Sequence, residues 1–484
     1  MSRPRAETAS PRAFVDLLRW DARLLGAAAI LGLLILAAAY AYSLQLRAGL
    51  GVTGLNRPAY WGLYIVNFVF FIGLSAGGII IASLVHAFGL QQFRSVARIA
   101  ELMAISCLLL AMGFIILDLG RPDRLLYVLW YPHPQSPLLW DVTVVNSYLL
   151  IGMAYGYFGT RADLVRAMDA KPRQRWLYRL LALGYTDLSP RARARDHTIL
   201  RTLAVVGLLG AVALHTVTAW ILGLTKARPG WFGAIMAPLF IVSATVSGLA
   251  LLLMSVILAR RVLRLAIGNE VVRRLALLLA FSIPVLGYFL FAELLTVFYG
   301  AEPAALHVYH TMMYGPYAAV FWGNLVFGLF LPLALLALIL WNVPRWRVAV
   351  FGLALAPAWA AAAWLLAFRA PLTSISNVPV PPWVFYTIAW LLGLGLLLVC
   401  LDRRLSEDAR IGVAAGLVVG GVLAERWNIV VPSLVGHSFL VFPLGHYAPT
   451  RLELLLVVGV YALGGLFFIA CATVLPLVES EEEA

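Results

Sequence analysis

Charge is what this chain has least of. Only 12% of its 484 residues are Asp, Glu, Lys or Arg, against 62% hydrophobic, and the mean hydropathy is +0.91. A soluble globular domain needs far more polar surface to be wetted, so that class is excluded. Cysteine is scarce too. Cys107, Cys400 and Cys471 lie in separate apolar stretches and no CxxC pair occurs. That excludes iron–sulfur and zinc sites built by motif, and the three read as small buried hydrophobes. Histidine within apolar sequence is confined to His86 and His215, which fall at different depths, so a haem held between facing histidines is not expected. Nor is a cleavable leader: residues 1–23 are polar and basic, and the first apolar stretch is long enough to span a bilayer.

What the chain has in abundance is apolar runs of about 20 residues, the length that crosses a bilayer as a helix. Twelve stand out: 24–44, 61–88, 99–119, 140–159, 199–224, 232–259, 275–299, 316–341, 348–368, 383–401, 411–425 and 452–477. The expected fold is all-α, a polytopic membrane protein of 10–12 transmembrane helices in bundles, since short connections make consecutive helices antiparallel neighbours.

The net charge of +13 raises a nucleic-acid reading, but the basic residues are distributed for a membrane. With the N-terminus inside, 26 of the 36 Lys and Arg fall in loops and tails on that side and nine on the other, with Arg201 in a helix end. That asymmetry follows the positive-inside rule and puts both termini in the cytoplasm. The longer, more polar loops, 120–139, 300–315 and 426–451, fall outside, which is where a partner is expected to meet this chain.

Ionisable residues at membrane depth are costly and therefore functional candidates. His86, Glu101, Asp141, His215 and Glu293 qualify, with Asn67 as a neutral polar member. His215 lies deep, among Thr216, Thr218 and Trp220; it is either a satisfied core histidine or a proton carrier. Asp141 near a helix start is either an N-cap or a site residue. Glu293 has no Lys or Arg near it in sequence. Gly77 and Gly78 either let helices pack closely or leave a slot for a flat ring, and the slot is the reading adopted for that pair. Asp118 and Arg121, one turn apart, are expected to pair at a helix end closed by Pro122, with Asp123 and Arg124 completing a charged cluster. A carboxylic acid, an imidazole and an amide beside aromatics and glycines suit a quinone headgroup, whose reduction moves two protons; the same groups suit a proton relay.

Several stretches together resemble the NrfD/PsrC family. They are Trp61-Gly-Leu-Tyr-Ile-Val-Asn-Phe-Val-Phe-Phe-Ile-Gly-Leu-Ser-Ala-Gly-Gly78, Asp118-Leu-Gly-Arg-Pro122, Ser136-Pro-Leu-Leu-Trp-Asp141 and His215-Thr-Val-Thr-Ala-Trp220. Ala237-Pro-Leu-Phe240 with Ser247-Gly248, then Glu293, continue the order. Glu425-Arg-Trp-Asn-Ile-Val-Val-Pro-Ser433, Tyr447-Ala-Pro-Thr450 and Glu453 close it. The resemblance implies a cofactor-free integral component of a bacterial respiratory complex in the cytoplasmic membrane, not an enzyme on its own. Polysulfide reductase and the alternative complex III belong to that group. It implies a menaquinone or ubiquinone as exchangeable ligand, with no haem or iron–sulfur cluster in this chain. It further implies a ferredoxin-like iron–sulfur partner on the outer face, accompanied by a molybdopterin or multihaem cytochrome protein, and possible proton translocation. Asn67, Gly77, Asp141, His215 and Glu293 match positions of the quinone site or its proton route, and Asp118, Arg121, Asp123 and Arg124 become the docking cluster. The expected organisation is 1–59 with the first helix, 60–345 as quinone-binding core, 346–402 as additional helices that smaller members lack, and 403–484 as C-terminal helices with an outer loop and acidic tail. A different class fits the same residues: a secondary transporter or proton channel relaying through Glu293 and His215.

Overall fold

The computed structural model describes residues 22–475, leaving out 57–58, 263–264, 266, 345, 348–349, 403, 436–446 and nearly all of 351–401. Among the described residues ten helices are long and apolar enough to span a bilayer. The fold is all-α and polytopic, as the apolar runs require. The expected spans at 348–368 and 383–401 lie outside the described residues, apart from a few isolated positions. Between them a two-residue pairing joins β1 (Ser374–Ile375) to β2 (Val378–Pro379), antiparallel.

The helices run α1 (Ala22–Ala48), α2 (Leu63–His86), α3 (Arg94–Asp118), a single turn α4 (Tyr127–Trp130), α5 (Pro137–Ala170), α6 (Arg175–Leu181) and α7 (Pro190–Gly223). There follow α8 (Met236–Val262), α9 (Asn269–Gly300), α10 (Pro303–Tyr314) and α11 (Ala318–Gly323). A π-helical stretch, Asn324–Phe330, leads into α12 (Leu331–Leu340). The chain closes with α13 (Glu407–Val430), the turn α14 (Pro432–Val435) and α15 (Arg451–Val474).

Local chemistry sets the starts. Ser189 and Ser406 each accept the N–H three residues on, at 3.2 Å, opening α7 and α13. Pro137 and Pro190 occupy the first helical positions, where a missing N–H costs nothing. Two four-helix groups form, α2–α3–α5–α7 and α8–α9–α12–α13, joined where α2 packs on α8. α1 and α15 pair with each other along the outside of the first group. α2 is buried along nearly its whole length, whereas α1 and α15 are mostly uncovered by the other described residues.

The α2–α8 crossing rests on glycine. A side chain at Gly77 would run into the backbone of Gly248, and one at Gly248 into that of Gly77. Gly78 is covered in the same way by Ala100 and Ala104 of α3. The slot for a ring expected at Gly77 and Gly78 is therefore filled by neighbouring helices; close packing explains both glycines.

Several segments depart from their expected bounds. The 300–315 loop contains the twelve-residue α10, so His307 and His310 stand on a helix. The span expected at 411–425 extends to Val430, because no breaker intervenes before Pro432. Arg426, counted among the outer basic residues, is consequently buried at 1% exposure. The helix expected at 140–159 begins at Pro137 and runs to Ala170.

Candidate functional site

Two groups of polar side chains lie inside the helical bundles, one in each. In the second group they surround a cavity at the end where α9 and α13 finish and α8 begins. Glu293, Tyr309, Asn324, Glu425, Asn428 and Ser433 reach it, amid apolar groups that include Met312 and Leu294. Tyr309 donates its hydroxyl to Glu293 Oε1 at 3.0 Å, so α10 holds the carboxyl that α9 carries. Ser243 donates to Glu425 Oε2 at 2.6 Å and accepts from Arg426 Nη2 at 2.8 Å. Arg426 also lies 3.5 Å from Glu425 Oε1, and its guanidinium carbon stands 4.4 Å from the centre of the Phe240 ring. Neither amide atom of Asn428 has a hydrogen-bond partner among the described residues, although the side chain is buried. A buried amide left unpaired is costly, which marks the place for a ligand or water. The π-helical stretch forms one wall, with Asn324 at its start and Gly328 crossing Gly421 of α13. Such irregular turns recur at functional sites.

In the first group the polar residues are threaded between helices. His215, 3% exposed on α7, sets Nδ1 2.6 Å from Ala211 O and Nε2 3.3 Å from Ile72 O on α2. A neutral imidazole has one N–H and serves only one of these carbonyls; with a second proton it serves both. The next residue on α2, Gly73, gives passage to Arg426, whose Nη2 would lie 3.6 Å from a side-chain carbon placed there. His215 and Arg426 thus approach α2 at the same level. Asp141 accepts from Thr218 at 2.5 Å. It is not the N-cap considered above, because α5 begins four residues earlier. Asn67 donates to Leu63 O and accepts from Tyr461 of α15, both at 2.8 Å, beside the stacked rings of Phe71 and Phe114.

The five residues singled out in the sequence are therefore not one constellation. Of them only Glu293 lines the cavity; His215 and Asp141 lie between α2, α5 and α7, and Asn67 faces α15. Sequence reasoning missed Glu425, Asn428, Asn324 and Tyr309 as site members. The first two were assigned to a helix end and an outer loop; extending α13 from its Ser406 cap to the breaker Pro432 would have placed them in the membrane.

The charged cluster after α3 is rearranged as well. Arg121 leaves the helix and forms a two-pronged bond with Asp123, at 3.0 and 2.9 Å, rather than pairing with Asp118. That bond holds the Asp123 carboxyl below the usual carboxylate range. Asp118, the last residue of α3, keeps Oδ1 buried and without a partner among the described residues. Tyr127, Trp130 and Tyr131 stand exposed beside this pair. Because both charges are exposed, Arg121→Glu is expected to leave helix insertion intact and to weaken association with an outer partner. Pull-down of the assembled complex measures this; full assembly at normal turnover would reduce the cluster to a helix end.

Comparison with known proteins comes to the same class. The chain is 31% identical to a putative dimethyl sulfoxide reductase membrane subunit from Halobacterium salinarum, over 94% of this chain and 92% of that protein. It is 28% identical to a selenate reductase subunit from Mesobacillus selenatarsenatis, over 61% of this chain and 70% of the relative. It is also 28% identical to the Hdr-like menaquinol oxidoreductase integral membrane subunit of Archaeoglobus fulgidus, over 61% and 66%. The family model described as polysulphide reductase, NrfD, matches residues 51–373, from before α2 to beyond α12, and the chain belongs to the NrfD family of membrane proteins.

Proposed function

We propose that this chain is the quinone-interacting membrane anchor of a multi-subunit oxidoreductase. In this reading it mediates exchange between membrane quinone and an iron–sulfur partner on the outer face, with both termini in the cytoplasm. The observation that carries the reading is the cavity described above, where two carboxyls, two amides and a phenol face one another below the membrane surface and the Asn428 amide is unspent. Relatives named for menaquinol and menaquinone chemistry favour the same ligand.

The donor set fits a quinone headgroup. Its carbonyls accept hydrogen bonds, and Asn428 Nδ2 is a donor in search of an acceptor. The free volume, about 60 Å³, holds a few waters but not a ring. Entry therefore requires side chains such as Met312 and Leu294 to swing aside, and Met is suited to that by its flexible stem. When bound, the quinone supplies two-electron, two-proton chemistry. The chain's own residues orient it and move the protons. Glu293, steadied by Tyr309, and Glu425, steadied by Ser243, are the carboxyls at the headgroup. His215 and Asp141 hold protons deeper in the first group, and Asn67 positions Tyr461 at the lipid face. The exposed cluster Arg121, Asp123 and Arg124, with Asp118 at its root, forms the docking edge.

Glu293→Gln keeps shape and hydrogen bonding but removes the titrating oxygen. Quinol turnover of the assembled complex is expected to fall by about 10²-fold or more, the usual loss for a positioned acid–base group. Oxidation of an artificial donor that feeds the partner directly should persist. Unchanged quinol turnover would remove the cavity from the reaction.

A further inference from the structure

The link from α5 to α7 carries three arginines in seven residues, Arg173 to Arg179, and no acid. None of them belongs to the quinone cavity or to the docking edge. The link is built from a 3-10 turn over Pro172–Gln174, the short helix α6 and a closing turn at Leu183 and Gly184. One face of α6 is packed: Tyr178 and the following Ala182 are buried in a cluster with Leu164, Val165, Ala167 and Met168 of α5. Val474 and Leu475, where α15 ends, pack against the same cluster. Since α15 is long and apolar enough to span, α6 lies at the level where that span ends.

The other face is uncovered by the described residues. Trp176 and Leu180, one helical turn apart, are 69% and 63% exposed, and Leu183 just beyond is 75% exposed. Leu183 takes a φ of +51°, a conformation that suits glycine and strains leucine. Its turn is closed by the Leu183 N–H on Leu180 O at 3.0 Å and the Gly184 N–H on Arg179 O at 2.9 Å. A strained leucine held outward is not explained by packing within the chain. Arg173, Arg175 and Arg179 are exposed beside these three apolar groups.

Trp and Leu next to arginine, on a short helix at the end of a membrane span, suit a surface that is apolar just below and negative on top. An acidic peptide, the chain's own Glu479–Glu483 included, would meet the arginines but leave the apolar groups in water. We propose that α6 is an interfacial helix that lies on anionic phospholipid, with Trp176, Leu180 and Leu183 inserted among the headgroups and Arg173, Arg175 and Arg179 on the phosphates.

The test uses the full-length protein with Cys107, Cys400 and Cys471 replaced by alanine and an environment-sensitive fluorophore on Leu180→Cys. It is placed in nanodiscs of phosphatidylcholine, with or without phosphatidylglycerol, and quenching by a lipid-borne quencher gives the ratio of inserted to free helix. That ratio should rise with phosphatidylglycerol. Arg173→Gln, Arg175→Gln and Arg179→Gln together should lower it on the order of a hundredfold, from about fivefold per arginine near a membrane surface. The three lysine replacements keep the charge and should stay within a few-fold, which separates loss of charge from misfolding. Trp176→Ser with Leu183→Gly spares every charge and should lower the ratio in both lipids. Glutamine at Glu479, Glu481, Glu482 and Glu483 should change nothing. The proposal is overturned if phosphatidylglycerol has no effect, if the glutamine triple inserts like the parent protein, or if the lysine triple fails as badly as the glutamine triple. It is equally overturned if the Trp176→Ser, Leu183→Gly variant inserts normally, or if neutralising the four glutamates matches the arginine loss, which would make the acidic segment the occupant.

Discussion

Replacing His215 with leucine is expected to lower quinol-dependent turnover of the assembled complex by about 10²–10⁴-fold, the range for removing a positioned proton-transfer group. Leucine fills a similar space in an apolar setting, and α7 keeps its own backbone ladder, so the protein should still assemble. What disappears is the imidazole that touches Ala211 O at one nitrogen and Ile72 O at the other, bridging α7 to α2. Direct feeding of electrons to the partner by an artificial donor should survive. Unchanged quinol turnover would make His215 a core histidine; loss of both activities together with loss of the partner on purification would show that its role is structural.

The largest expected effect on stability belongs to Arg426. Arg426→Met leaves the Glu425 carboxyl, 2% exposed, without its cation and Ser243 without one of its donors. Breaking a buried pair by removing one partner costs about 3–5 kcal/mol. Adding Glu425→Gln to the same chain removes the stranded charge and should restore most of that loss. The comparison is made by denaturant titration of both variants in micelles. If the double variant is no more stable than Arg426→Met alone, the loss comes from the cation's packing on Phe240 rather than from the ion pair.

The membrane fold was legible because hydrocarbon imposes one simple demand on the sequence, a run of about 20 apolar residues per crossing. Helix ends were less so. α5 and α7 carry charged and polar turns beyond the bilayer, such as Arg161–Ala170 and Pro190–Thr198, which hydropathy cannot distinguish from loop. The site was legible only in part. Glu293 declared itself through isolation among apolar neighbours, but its companion Glu425 lies on a helix far along the chain and beside an arginine, a pattern that also marks a membrane boundary. The Asp118–Arg121 pairing failed for a local reason: Arg121 leaves helical geometry, with φ −135° and ψ 73°, so the one-turn spacing no longer brings the two together. Gly77 failed as a slot because a missing side chain shows where space is needed, not what occupies it.

The end of α1 and the start of α2 depend on a residue made long after them. Thr450 and Glu453 cap α15 reciprocally, and the same Glu453 carboxylate accepts the Gly54 N–H at 2.8 Å and the Tyr447 hydroxyl at 2.7 Å. Tyr447 in turn accepts the Leu63 N–H at 2.7 Å. Glu453 follows Gly54 by 399 residues. At about 5–20 residues per second, translation takes on the order of 20–80 s to supply it. Through that interval α1 has been inserted without the helix it packs on, and the loop before α2 holds open N–H groups that water or the insertion machinery must satisfy. Biogenesis of this protein therefore ends with α15 latching α1 and the loop before α2, and a ribosome that stalls before residue 450 leaves the N-terminal half inserted but unlatched.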